Sequence, residues 1–294
     1  MGTLVSQILI SAILLWGIYT LISIGVTLIF GVMRIVNFAH GEFLMFGMYF
    51  SFWFFQLFGW DPYASLFLVT IFTVIISCIV YKTVINKTMG KSDLPQVFAT
   101  LGVGIVMQNL AYIFWSGNYR TVRTGYADAA LAFQGLLVSI PHFLVFITAI
   151  LVSGAMYVFL KYTTPGKAIR AIAQNSRAAA LMGVNVSRMY LITFAIGTGL
   201  AGVAGAGIMP IFAVYPMVGF DLILVAFIIC VLGGIGSIPG AIIGSFIIAL
   251  IETLSGFFIA ESMKQVVYFL IFIIILIVKP SGILGQKGEA FLHR

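Results

Sequence analysis

The stretch Arg34–Gly47, RIVNFAHGEFLMFG, places an arginine, an asparagine, a histidine and a glutamate inside a strongly apolar part of the chain. Polar side chains at membrane depth are costly and usually face the interior of a helix bundle or a water-filled cavity. The stretch therefore predicts a break between two membrane helices. Its polar groups either line a substrate path or bond between helices, and the candidates are Asn37, His40, Gly41 and Glu42.

The composition of the whole chain indicates a membrane protein. Of its 294 residues, 62% are hydrophobic and 8% are charged, whereas about a quarter of the residues of a soluble domain are charged. A membrane-spanning helix needs roughly 20 mostly apolar residues. We therefore expect an all-α polytopic fold with eight or nine spans, forming one transmembrane domain over residues 1–294. The apolar windows are Val5–Met33, Phe38–Phe58, Tyr63–Tyr81, Val97–Trp115, Pro141–Leu160, Leu191–Val214, Leu222–Leu232, Ala241–Phe258 and Val266–Val278.

The positive residues predict the orientation of these spans, because loops rich in lysine and arginine face the cytoplasm. They cluster in three regions, Lys82–Lys91, Lys161–Arg188 and Lys279–Arg294. The segments between these regions, which carry Arg120, Arg123 and Lys264, are then external. If Val5–Met33 crosses the membrane once, the N-terminus is external as well.

A second interruption is predicted in Leu232–Gly244, LGGIGSIPGAIIG. Glycines four residues apart permit close helix packing, and Pro239 disfavours a continuous helix. Glycine-rich breaks in both halves suggest a duplicated architecture with a path between the halves, although close packing alone also accounts for the glycines. The candidates in this stretch are Gly233, Gly234, Gly236 and Gly240.

The loop Lys161–Tyr190 is predicted to contain an amphipathic helix. Thr164-Pro165 is a start signal and Gly183 a stop signal. One helical face carries Lys167, Arg170, Gln174 and Arg177, and the opposite face carries Ile169 and Ile172. Such a helix either lies on anionic lipid or docks into a groove of a cytoplasmic partner. The small residues of RAAALMG favour docking, because they permit close approach.

Two further acidic residues occur in apolar surroundings. Asp221 stands at the start of a span, where we expect it to cap a helix or to meet external solvent. Glu252 lies deeper in its span, and its partner is expected either within the bundle or in a second subunit.

Three blocks carry a specific resemblance to a known family. They are FGVMRIVNFAHGEFLMFGMY (Phe30–Tyr49), TPGKAIRAIAQNSRAAALMGV (Thr164–Val184) and LVAFIICVLGGIGSIPGAIIGSFI (Leu224–Ile247). Together, and in this order, they resemble the signatures of permease subunits of branched-chain amino-acid ABC importers. The resemblance covers nearly the whole chain.

The resemblance implies a permease subunit of the bacterial inner membrane that carries leucine, isoleucine and valine. The implied partners are a second homologous permease subunit, two cytoplasmic ATPase subunits and an extracytoplasmic substrate-binding protein, with membrane lipid around them and no nucleic acid. ATP and Mg would bind to the ATPases, and this chain would bind no cofactor. The implied coupling residues, pushed when the ATPases close, are Gly166, Lys167, Ala168, Arg170, Asn175, Ala179 and Gly183.

The residues themselves argue against an enzyme. GKS at Gly90–Ser92 is not a phosphate loop, because Ile85 occupies the position of its first glycine. His40 and Glu42, two residues apart, point to different helix faces and do not form a metal site. The sequence contains no grouping of nucleophile, base and acid that would indicate a catalytic site. The alternatives that stay open are a related urea or short-chain amide permease and an ATPase-independent channel or carrier.

Overall fold

The computed structural model describes residues 2–133 and 135–285, and most of them are helical. The helices are α1 (Gly2–Met33), α2 (His40–Phe58), α3 (Pro62–Val80), α4 (Asn86–Thr88), α5 (Asp93–Trp115), α6 (Ile140–Tyr162), α7 (Thr164–Gln174), α8 (Ser176–Leu181), α9 (Val186–Ile208), α10 (Val218–Gly233), α11 (Ile238–Phe258) and α12 (Lys264–Val278). A π-helical segment, Tyr81–Ile85, joins α3 to α4. Strands β1 (Ala130–Phe133) and β2 (Leu136–Ser139) form an antiparallel hairpin, which the sequence did not predict.

The described part of the chain contains six helices that are long and apolar enough to cross a membrane. They are Thr3–Met33, Pro62–Thr88, Asp93–Trp115, Ile140–Tyr162, Val186–Ile208 and Ile238–Phe258. The two short predicted windows correspond to the shorter apolar helices α10 and α12, and the window that begins at Phe38 corresponds to α2. Each predicted window thus falls on a helix, and the all-α polytopic class is confirmed.

The basic regions gather at one end of the bundle. The Tyr81 hydroxyl, at the end of α3, donates to the Ser187 carbonyl at the start of α9 (3.4 Å). The Ile283 amide, in the segment after α12, donates to the Leu232 carbonyl at the end of α10 (2.8 Å). By the positive-inside rule this end is cytoplasmic. Lys287 and Arg294 of the predicted basic tail lie outside the described residues.

The first turns of α1 lie at the opposite, external end. Gln7 exchanges two hydrogen bonds with the backbone of Leu137 in β2, each 2.9 Å long. Arg120 pairs with Val214 in an isolated β-bridge that ties the segment after α5 to the segment after α9. The N-terminal start of α1 is therefore external, as expected if this helix crosses once.

Helix α1 lies centrally and packs on α6, α9, α10 and α11. Polar contacts join it to the antiparallel α11, and Trp16 Nε1 donates one of them to the Ile242 carbonyl (2.8 Å). Thr20 Oγ1 lies 2.7 Å from Ser245 Oγ, and the Tyr19 hydroxyl donates to a carboxylate oxygen of Glu252. Glu252 thus has a partner within the bundle, which was one of the two expectations. Hydrogen bonds between helices help to fix their pairing in lipid, where hydrophobic burial does not drive association.

The two halves of the chain repeat one order of elements in opposite directions. In the first half, α1 runs inward and is followed by the non-helical segment 34–39 and α2; in the second, α9 runs outward and is followed by segment 209–217 and α10. Helix α1 packs on α11 as α9 packs on α3. The halves are therefore inverted repeats. The counterpart of segment 34–39 is segment 209–217, so the predicted correspondence with Leu232–Gly244 is wrong.

Candidate translocation path and coupling surface

The break between α1 and α2 is held by backbone contacts. The Arg34 amide donates to the Phe30 carbonyl (2.9 Å) as α1 ends. Arg34 itself has φ 56, which residues with side chains seldom adopt. From α5, Thr100 Oγ1 donates to the Val36 carbonyl (3.1 Å). The chain thus turns back into the bundle before α2 begins at His40.

The polar candidates of this stretch are buried: Asn37 is 4% exposed, His40 0% and Glu42 2%. Asn37 lies in the break, whereas His40, Gly41 and Glu42 lie in the first turn of α2, so a helix break at these three residues is not observed. Glu42 Oε1 accepts a hydrogen bond from Gln108 Nε2 of α5 (2.8 Å). Its Oε2 and both amide atoms of Asn37 make no hydrogen bond with any described residue. Buried polar atoms are rarely left without a partner, because the lost solvation costs about 1–3 kcal/mol. These atoms therefore mark a place where a further group could bind.

Gly41 brings α2 into direct contact with α10. A Cβ atom on Gly41 would lie 2.7 Å from the carbonyl carbon of Gly219, and one on Gly219 would lie 2.6 Å from the carbonyl carbon of Gly41. Both distances are well below ordinary van der Waals contact. The first turns of the two helices therefore cross backbone to backbone, and we call this contact the α2–α10 crossing. His40 lies beside it, against Gly25 of α1.

The second group of candidate glycines forms the turn between α10 and α11 at the cytoplasmic end. Gly234 and Gly236 have φ values of 104 and 78, which favour glycine. A Cβ atom on Gly236 would lie 2.7 Å from the Cα atom of Gly31 in α1. Gly233 and Gly240 close the same turn, since a Cβ on Gly240 would lie 2.8 Å from the Gly233 carbonyl carbon. These glycines therefore serve close packing at the turn, which lies at the opposite end of α10 from the α2–α10 crossing.

The connection between α6 and α9 contains two helices, so the prediction of a single helix over Lys167–Gly183 is wrong. Asn175 has an extended backbone (φ −157, ψ 102), and its side-chain oxygen accepts from the Ala178 amide (3.0 Å) to cap α8. Asparagine competes with helical hydrogen bonding in this way. Arg177 therefore stands on α8, not on the face of α7 that carries Lys167.

Some of the remaining coupling candidates pack against the bundle, and the others are exposed to solvent. Gly166 packs on the end of α6, because a Cβ there would lie 2.6 Å from the Leu160 Cα atom. Ala179 is buried, Ala168 is half-buried, and Gly183 has φ 84 after the end of α8. Lys167, Arg170 and Asn175 are exposed. The loop therefore rests on the bundle through small residues and presents its charges to solvent.

The sequence reasoning missed the most exposed apolar side chains of this loop. Leu181 is 90% exposed and Met182 84%, more than any other large hydrophobic side chain in the described chain. They follow the alanines of RAAALMG and directly precede the stop glycine, Gly183. Large apolar residues at the end of a cytoplasmic helix could have predicted this exposure. An exposed leucine and methionine on a cytoplasmic loop are suited to bury in a partner's groove.

A polar cleft of about 340 Å³ separates this loop from the end of α1. Its wall includes Met33 and Arg34 on one side and Gln174, Asn175 and Arg177 on the other. Helix α7 also contacts α1, α6 and α9. A displacement of α7 and α8 would therefore reach the end of α1 immediately before the break.

Comparison with known proteins decides the family. The family model described as "Branched-chain amino acid transport system / permease component" matches residues 8–276. The chain belongs to the branched-chain amino acid transport permease family.

Relatives in this family match over nearly their whole length. The chain is 33% identical to the high-affinity branched-chain amino acid transport system permease protein LivH of Escherichia coli K12, covering 95% of each protein. It is 29% identical to the corresponding permease BraD of Pseudomonas aeruginosa PAO1, again covering 95% of each. A more distant similarity, 26% identity over 68% of this chain and 64% of the relative, links it to the ribose import permease RbsC of Haemophilus influenzae. No solved structure matches the chain.

Membership of the branched-chain amino acid transport permease family establishes the location of the chain and the kind of component it is. The chain is a multi-pass protein of the inner membrane. It is a transport permease component, and such a component works with ATPase and binding-protein partners.

Proposed function

We propose that the chain is the permease subunit of an ATP-driven importer that moves leucine, isoleucine and valine across the inner membrane. Full-length similarity to permeases named for branched-chain amino acid transport supports this substrate class. Nothing in the comparisons favours the urea or short-chain amide alternative. The observation that carries the ATP-driven mechanism is the pair Leu181–Met182, displayed on a loop that rests against the end of α1.

The assembly comprises this chain, a second homologous permease, two cytoplasmic ATPases that bind ATP and Mg, and an external binding protein. This chain binds no cofactor and catalyses no reaction. Closure of the ATPases pushes on α7 and α8, and Gly166 transmits the push because it packs directly on α6. The end of α1 then shifts against segment 34–39. The α2–α10 crossing opens in response, alternately to each side, as in transporters built from inverted repeats.

Leu181 and Met182 provide the test of the ATPase contact. Fully burying one such side chain contributes about 1.5–3 kcal/mol, so losing one weakens association at least about tenfold. We expect Leu181→Asp combined with Met182→Asp to remove the ATPases from the tagged, co-expressed permease during purification. Leu94→Asp, which changes another exposed leucine in the first turn of α5, serves as the matched control and should retain them.

Equal recovery of the ATPases with the double variant and with the control would refute docking through α8. If the wild-type chain purifies with its second permease but without any ATPase, the ATP-driven function itself fails. The channel or carrier alternative would then account better for the fold.

A further inference from the structure

We propose that Glu42 and Asp221 form the site that receives the ammonium group of the substrate at the α2–α10 crossing. The inference rests on the proposed function and adds the residues that recognise the substrate. Glu42 lies in the first turn of α2 and Asp221 in the first turn of α10. The two carboxylates therefore flank the contact between Gly41 and Gly219, where the two inverted halves meet.

Glu42 is one part of this site because its carboxylate is buried and only half satisfied. Gln108 occupies Oε1, whereas Oε2 is enclosed and has no partner among the described residues. A buried carboxylate oxygen without a partner is strongly unfavourable. A role confined to packing would be met equally well by an uncharged side chain. The residue is therefore suited to a positively charged group that arrives from outside the chain.

Asp221 is the outer part of the site. It is exposed on α10 although its neighbours on the helix are apolar, and Phe220 and Leu224 are exposed beside it. The Tyr215 hydroxyl donates to its Oδ2 and fixes the carboxylate. An ionisable side chain within a membrane bundle is expensive unless it faces a polar path or a partner subunit. This surface of α10 is accordingly the one that the second permease would cover.

Glu42 follows Gly41 and Asp221 stands two residues after Gly219, so the backbone contact between the two glycines brings the two acidic residues to the same crossing. Among residues 2–133 and 135–285, no basic side chain pairs with either carboxylate. Two neighbouring carboxylates of like charge repel each other and favour an entering cation. Free amino acids carry such a cation, because the α-amino group is protonated at neutral pH.

We assign the apolar part of the substrate to a contact between the break and α10. Phe38 in the break and Phe227 on α10 face each other with ring centroids 5.3 Å apart. Both rings are half-buried and suit an aliphatic side chain of the leucine type. Urea and short amides can donate N–H hydrogen bonds to the carboxylates, but they bring no positive charge, so the two carboxylates favour a cation over them. The arrangement therefore favours an amino acid over the amide alternative.

The first test uses two fragments of leucine on the assembled complex of both permeases and the ATPases. We expect millimolar 3-methylbutylamine, which keeps the ammonium group, to raise the unfolding temperature, because a ligand of the native state stabilises it. We expect 4-methylpentanoate, which keeps only the carboxylate, to have no such effect. Glu42→Gln and Asp221→Asn should each abolish the shift, whereas Glu252→Gln, the control in α11, should retain it.

Stability without ligand separates recognition from a merely structural role. Glu42→Gln keeps the contact with Gln108 and removes the unpaired charge, so its unfolding temperature should stay equal or rise. No shift with the amine in the wild type, or an equal shift in both site variants, would overturn the proposal. An equal shift with 4-methylpentanoate would do so as well, because the site would then not select the ammonium group.

The second test measures leucine uptake into proteoliposomes with the binding protein present. We expect Glu42→Gln and Asp221→Asn to reduce uptake at least about tenfold, the effect of losing 1.4 kcal/mol. Binding-protein-stimulated ATP hydrolysis should persist, because α7 and α8 are intact. Normal uptake by both variants would refute the proposed ammonium site but leave the proposed function intact. If the wild type binds the amine but takes up no leucine, the proposed function fails instead.

Discussion

Gly41→Ala should disrupt the α2–α10 crossing. The new Cβ atom would lie 2.7 Å from the Gly219 carbonyl carbon, whereas ordinary contact begins at 3.4 Å. The Gly219 carbonyl oxygen would lie nearer still, so the backbones must separate by more than roughly 0.7 Å, and overpacking of this kind typically costs about 1–3 kcal/mol. Each kcal/mol lowers the unfolding temperature of a chain of a few hundred residues by about 2–4 °C. We expect a drop in unfolding temperature by differential scanning fluorimetry in detergent and a loss of leucine uptake.

Gly102→Ala is the matched control, because a Cβ atom at Gly102 in α5 would meet nothing within 4 Å. This substitution should raise stability, by up to about 1 kcal/mol, through the higher helix propensity of alanine. Gly219→Ala combined with Gly41→Ala should cost less than the sum of the single variants, because both relieve the same contact. The reasoning is refuted if Gly41→Ala matches Gly102→Ala in unfolding temperature and uptake.

Three further predictions concern other contacts. Asn175→Ala should lose the cap of α8, worth about 0.5–2 kcal/mol of local helix stability; faster amide hydrogen exchange confined to α8 would show this, and unchanged exchange would contradict it. Tyr19→Phe should destabilise the α1–α11 contact by about 1–3 kcal/mol, because a Glu252 oxygen loses its donor. The same substitution should have a smaller effect on thermal unfolding in a Glu252→Gln background, and an equal effect in both backgrounds would argue against a direct bond. Arg34→Gly should unfold at a higher temperature than Arg34→Ala, because both remove the side chain and only glycine adopts φ 56 without strain; equal unfolding temperatures would contradict this.

Local chemistry allowed the apolar helices and some of their ends to be predicted from the sequence. A break near Asn37 was expected because polar residues interrupt an apolar run, and Asn37 does lie in the non-helical segment 34–39, although His40, Gly41 and Glu42 belong to α2. The start of α7 was also predicted correctly: Thr163 accepts from the Gly166 amide (3.1 Å) and Pro165 occupies the first turn. These features depend on residues within a few positions of one another, so periodicity and capping patterns reveal them.

The long-range pairing of the halves could not be predicted in the same way. Gly41 and Gly219 meet because two inverted halves pack together, and nothing in the residues around Gly219 resembles NFAHGE. The glycine-rich run Gly233–Gly240 looked more like a counterpart, although its glycines serve a cytoplasmic turn. Asp221 was expected as a helix cap or external residue, but α10 begins at Val218 and leaves it exposed in the first turn. Only the packing of α2 on α10 relates it to Glu42.

ATP-driven import is tested by leucine uptake into proteoliposomes that contain this chain, its second permease and the ATPases, with binding protein supplied outside. We expect radiolabelled leucine to accumulate only with ATP inside, and we expect Leu181→Asp combined with Met182→Asp to abolish accumulation while Leu94→Asp does not. Leucine uptake that proceeds without ATP, or that is unaffected by the double substitution, would contradict it.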